Sequence, residues 1–178
     1  MQRVSTLGPR TAAGRRITGW DMAEKIEFQS HVAVVQRPAL EALVFFNSCQ
    51  ERVASCIADA VETFGAPEIV AVRDRLRVQI ADQPDVQSLF AIEKGTGRPV
   101  GVAVYVRPDL EHITVMHLGI AAEYASGGPR SDEQLLLRLL REVRRSTRRV
   151  KGVRRIELYY VKGRNVGSRW RSVDKATA

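Results

Sequence analysis

The chain has 178 residues, 44% of them hydrophobic, which is enough for a core and too many for a disordered chain. Its net charge is +8, no apolar run approaches the ~20 residues of a membrane-spanning helix, and the stretch after Arg15-Arg16 (Ile17-Thr18-Gly19-Trp20-Asp21) is no apolar signal core. These features favour one cytoplasmic domain over a membrane or secreted protein.

Residues 1–25 read as a basic, flexible tail rich in Gly, Thr, Ser and Arg. IEFQSHVAVV, 26–35, has the β-branched content of a first strand. From Pro38, Leu40, Leu43, Val44, Cys49, Val53, Cys56, Ile57, Ala60, Val61 and Phe64 recur every three or four residues, predicting one helix that Gly65 ends. Cys49 and Cys56 then share its face about 10 Å apart at ~1.5 Å per residue, too far for a disulfide, and no metal set accompanies them. Pro67 predicts a second helix over about 67–82, with Arg73-Asp74-Arg75 on its wet face.

The period then changes to two. SLFAIEK (88–94) and RPVGVAVYVRP (98–108) flank Gly95-Thr96-Gly97 as a hairpin, and HITVMHLGIA (112–121) adds a strand after the turn at 109–111. A helix is predicted from Ser131 to Val150, with Leu136, Leu139, Leu140, Val143 and Val150 as its buried stripe and Ser131 as its N-cap. VRRIELYYV, 153–161, is the last strand, and 162–178 a basic tail.

This order is strand-helix-helix-strand-strand-strand-helix-strand. With a glycine loop after the fourth strand, it resembles the GNAT superfamily of N-acetyltransferases over roughly residues 26–161. Leu118-Gly119-Ile120 stands for that family's strand end, Glu123-Tyr124 for its Glu-Tyr, and Ser126-Gly127-Gly128 for its loop. The resemblance implies a mixed α/β sheet and an acyl-CoA-dependent N-acyltransferase acting on an amine. It also implies acetyl-CoA or another acyl-CoA as cofactor. The fourth-strand backbone at Gly119, Ile120 and Ala121 would hold the thioester arm; Ser126, Gly127, Gly128 and Arg130 would hold the pyrophosphate. His117 or Glu123 would be the base and Tyr160, beside Tyr159, the general acid.

The chain also departs from the family. Ala125 replaces the usual leading Arg, Pro129-Arg130-Ser131 replaces the second glycine pair, and Asp132 and Glu133 fall where the helix's positive end would meet phosphate. The strand-loop-helix order therefore fits either a phosphate loop or a helix-capping turn. The family's final hairpin has no counterpart in residues 162–178. The edge of the last strand is then expected to pair with a second copy, as a homodimer, or with a fold-back of about 168–173.

Charge suggests a second reading. Residues 130–178 hold 15 Lys/Arg and 5 Asp/Glu, and Arg138, Arg141, Arg145 and Arg148 align at helical spacing. They form either the solvated face of an amphipathic helix or a surface for nucleic acid or an acidic partner, as in a non-catalytic relative of the same fold. No aromatic residues interleave with them, so base stacking is not implied.

Overall fold

A computed structural model describes residues 25–45, 54–80, 83, 85–148 and 152–159. Its elements are β1 (Ile26–Gln29), β2 (Val32–Ala33), α1 (Arg37–Val44), α2 (Ala54–Phe64), β3 (Pro67–Val72), β4 (Arg75–Ile80), β5 (Gln87–Glu93), β6 (Pro99–Val106), β7 (His112–Ile120), α3 (Leu135–Arg148) and β8 (Arg155–Leu158). Short 3-10 turns at Val34–Gln36, Ala122–Tyr124 and Ser131–Glu133 join some of them.

Five strands form one mixed sheet in the order β1-β5-β6-β7-β8, antiparallel except for the parallel pair β7–β8. Strands β2, β4 and β3 form a second, smaller sheet. Period-two alternation divides the core between the two faces of the large sheet. On one face Phe90, Ile92, Val102, Val104 and Met116 meet Leu40 and Leu43 of α1 and Leu76, Val78 and Ile80 of the small sheet. On the other, Leu89, Ala91, Val100, Ala103 and Val115 meet Leu135, Leu139 and Val143 of α3. Gly101 faces α3: a Cβ there would make ordinary contact with Leu135 Cδ2 and Leu139 Cδ2, both at 3.6 Å, and a tighter one, 3.2 Å, with Ala91 Cβ on β5.

The second expected helix is a β-hairpin. Leu76, Val78 and Ile80 are buried while Arg75, Arg77 and Gln79 are exposed, the strict alternation of a half-buried strand. Arg73, at φ +57°, turns the chain between β3 and β4. The single helix expected from Pro38 to Phe64 corresponds to α1 and α2, with residues 46–53, and so Cys49, outside the described residues. Pro38 sits in the first turn of α1, where its missing N–H costs nothing. The first strand is also shorter than expected. It breaks at Ser30-His31, so that β1 joins the large sheet and β2 the small one.

Helix α3 starts four residues later than expected. Ser131–Glu133 is a separate 3-10 turn without a side-chain cap, and Gln134, in the left-handed region at φ +48°, separates it from α3. The buried stripe is Leu135, Leu139, Val143 and Thr147; Leu136 and Leu137 are exposed. Val150, Tyr160 and the segment 168–173 lie outside the described residues. Among the described residues no helix is long and apolar enough to cross a membrane.

Leu139 is fully buried, whereas Leu137, half a turn away, is 47% exposed. Leu139→Ala should therefore cost about 2–5 kcal/mol and Leu137→Ala no more than about 0.5 kcal/mol, read from urea unfolding midpoints. Equal losses would mean that α3 presents a different face to the sheet.

Candidate functional site

The segment from the end of β7 to the start of α3 is organised around one carboxylate. Glu93 ends β5, and its N–H donates to the Arg98 carbonyl across the Gly95-Thr96-Gly97 turn at 2.9 Å. Its Oε2 accepts from Arg98 Nε at 3.2 Å and from Thr96 Oγ1 at 3.1 Å. Its Oε1 accepts from the Tyr124 hydroxyl at 3.0 Å and from Arg130 Nη1 at 2.5 Å. One side chain thus ties the β5–β6 hairpin to the 3-10 turn after β7 and to the glycine loop.

Arg130 is held from three sides. Besides Glu93, its Nε donates to Glu133 Oε1 at 2.6 Å, and its guanidinium lies 4.3 Å over the Tyr124 ring. Arg98 reaches the other way, to Glu123 Oε1 at 2.5 Å. Burial alone would raise the Glu93 pKa, but hydrogen bonds from Arg98, Tyr124 and Arg130 outweigh it and hold the carboxyl at about 2. Glu123 is likewise held below the usual carboxylate range: burial opposes this, while its own backbone amide and Arg98 favour the ionised form. Burial and the Glu93 charge raise the Tyr124 hydroxyl, so it stays protonated and donates. Glu133 is almost fully buried, and its Oε2 has no hydrogen-bond partner among the described residues.

The glycine loop is folded on its own backbone. The amides of Ala125, Gly128, Arg130 and Ser131 donate to the carbonyls of Ala122, Ala125, Glu123 and Gly128 at 2.8–3.2 Å. Gly128 is required by this packing, since a Cβ would lie 2.5 Å from the Ala122 and Glu123 carbonyl oxygens. Gly127, at φ +86°, makes the turn. The amides of Ser126 and Gly127 make no protein hydrogen bond among the described residues, and the first amides of α3 (Leu135, Leu136 and Leu137) have no acceptor within the helix. No acid stands in the first turn of α3, because Asp132 and Glu133 precede it in the 3-10 turn. The expectation that they occupy the helix's positive end is corrected accordingly.

The two expected bases do not share surroundings. His117 is buried on β7, where a register shift between Val104 and Tyr105 leaves Met116 and His117 lining one small cavity, about 40 Å³, with Val44, Ile57, Phe64 and Ile80. Burial lowers its pKa to about 4, against a hydrogen bond to the Leu43 main chain that raises it, so the imidazole is neutral near pH 7. Glu123 faces Arg98 at the hairpin end. Gly119 is paired opposite Val102 within the sheet, Ile120 ends β7, and the Ala121 amide donates to the Val100 carbonyl at 2.9 Å. Tyr159 packs edge-on against Phe64 with ring centres 5.2 Å apart, and Tyr160 is outside the described residues.

Glu93 and Arg98 were not singled out by sequence, and Glu133 only as an acid at the helix start. A signal existed for the first two: flanking a glycine turn between alternating strands, they are cross-strand neighbours. The link from Glu93 to Arg130, 37 positions away, has no local signature.

Since Glu93 binds fewer protons folded than unfolded, its contribution to stability is complete above about pH 4.5 and is lost as pH falls towards about 2. Glu93→Gln should remove that component from the acid unfolding profile. At neutral pH it should cost about 1–3 kcal/mol by leaving two guanidinium groups short of an acceptor. An acid profile identical to that of the wild type would contradict the network. Compared with known proteins, the chain matches no family model, no curated protein and no solved structure.

Proposed function

We propose that this chain is an acetyltransferase-type α/β domain that binds acyl-CoA between β7 and α3, and that N-acyl transfer to an amine is its reaction class. The observation that carries the reading is the unit β7–glycine loop–α3–β8. It is a strand leading through a loop to a helix start, with the next strand returning parallel beside the first. Ligands of open α/β sheets sit at such carboxyl ends of strands, and helix starts favour phosphate. Together with the sheet order β1-β5-β6-β7-β8, this supports the family resemblance read from the sequence.

The donors suited to an anion are the amides of Ser126 and Gly127 and those of the exposed Leu136 and Leu137 in the first turn of α3. These fit a pyrophosphate; the Arg130 guanidinium, engaged by two carboxylates and a ring, does not belong to the set. Bound acyl-CoA would supply the activated acyl group as a thioester. The chain's contribution would be to orient it with the backbone at the end of β7, from Gly119 to Ala121.

One observation favours a second reading, a non-catalytic binding domain of the same architecture. Neither His117, neutral with a pKa of about 4, nor Glu123, held ionised by Arg98, is tuned to take a proton from an ammonium near neutral pH. The two readings separate in two measurements. Millimolar acetyl-CoA should raise the melting temperature on either reading, since it binds only the folded chain. No shift would reject acyl-CoA binding. Release of free thiol in the presence of an amine panel should occur only on the first reading, and a shift without release would leave the second.

A further inference from the structure

We infer that the exposed face of α3 is a binding surface for the phosphodiester backbone of a nucleic acid, distinct from the acyl-CoA site proposed above. Arg141, Arg144, Arg145 and Arg148 alone line a groove of about 510 Å³ on this face. All four are exposed, and Arg138 stands half-buried one turn before them. The spacing places Arg141 with Arg145 and Arg144 with Arg148 at i,i+4, and Arg141 with Arg144 and Arg145 with Arg148 at i,i+3. Like charges at such spacings repel and weaken a helix. The only carboxylate on the helix is Glu142, 3.5 Å from Arg145 and mostly covered. Favourable charge at the helix C-terminus accounts for Arg145 and Arg148 in the last turn. It does not account for Arg141 and Arg144, or for four mutually repelling neighbours. A solvated face would be better served by alternating signs.

The choice of side chain narrows the ligand. Helix α3 has five arginines and no lysine. The guanidinium fork matches phosphate oxygens in pairs, which an ammonium does not. Only arginines line the groove, with no aromatic or aliphatic residue among them, so it offers no platform for stacked bases and no wedge for lipid chains. What remains is contact with regularly spaced phosphates, without sequence preference. The surface is also remote from the glycine loop. At ~1.5 Å per residue, Arg148 lies about 20 Å along the axis from the start of α3, and Arg141 about 9 Å.

The test uses the full chain and a labelled DNA duplex of about 20 base pairs, with anisotropy followed from about 50 to 200 mM salt. The variant Arg141→Gln/Arg144→Gln/Arg145→Gln/Arg148→Gln should reduce the slope of log affinity against log salt by about 3 to 4 and weaken binding at least tenfold at low salt. Its melting temperature should not fall, because like-charge repulsion is relieved, and its response to acetyl-CoA should match the wild type. A paired control, Arg75→Gln/Arg77→Gln on the exposed side of β4, should leave the slope within about 1 of wild type. The inference is overturned if the quadruple variant keeps the wild-type slope and affinity, or if the control loses as much. It is also overturned if the wild type ignores the duplex at low salt while binding phosphatidylserine vesicles or a poly-glutamate peptide.

Discussion

The four hydrogen bonds accepted by the Glu93 carboxylate decide where the segment between β7 and α3 can lie. Two come from the hairpin that Glu93 itself belongs to and two from beyond β7. Loops usually lie over a surface through their own backbone bonds; this one is also anchored to the sheet through charge. The charged form of Glu93 is strongly favoured, so both guanidinium groups stay engaged across the neutral range. Tyr124 gains a role from the same contact, since its ring carries Arg130 and its hydroxyl is satisfied despite burial. A second consequence concerns α3: because Arg130 also binds Glu133, that acid is drawn into the network and away from the helix start.

The layers on either side of the large sheet have different characters. The face under α1, α2 and the small sheet is apolar, and His117 enters it as a neutral ring. The face under α3 is closed by one helix, whose inner stripe is Leu135, Leu139, Val143 and Thr147 and whose outer side, after the exposed Leu136 and Leu137, is rich in arginine. The same helix thus seals the core, presents first-turn amides near the glycine loop, and displays positive charge from Arg138 to Arg148. These roles sit on different faces and ends of the helix, so each can be altered without disturbing the others.

Much of this was legible where a single period dominated. The hairpin β5–β6 and strand β7 follow from alternation and the Gly95-Thr96-Gly97 turn, and their observed bounds lie within two residues of those read from sequence. One punctuation residue misled at 67–82. Gly65 does end α2, but Pro67, which looks like a helix start, opens a strand; Leu76, Val78 and Ile80 alternate, and the buried face of a strand won over the proline signal. On α3 the helix was evident but its phase was not. Leu135, Leu136, Leu139 and Leu140 allow adjoining stripes, and packing on the sheet, with Leu135 and Leu139 over Gly101, buries the one through Leu135 and Leu139. The glycine loop was visible as a loop. What its glycines serve was not, because the neighbours of Gly128 are carbonyls set by a 3-10 turn that leaves no trace in hydrophobic pattern.

The anchoring of this loop by charge is the claim on which the rest depends, and a double-mutant cycle on Glu93 and Arg130 tests it most directly. Glu93→Gln, Arg130→Gln and the double variant would be compared with the wild type by urea unfolding at neutral pH. Direct contact within one network predicts a coupling of about 1 kcal/mol or more. Losses that add to within about 0.3–0.5 kcal/mol would show that the two side chains act independently, contradicting the account.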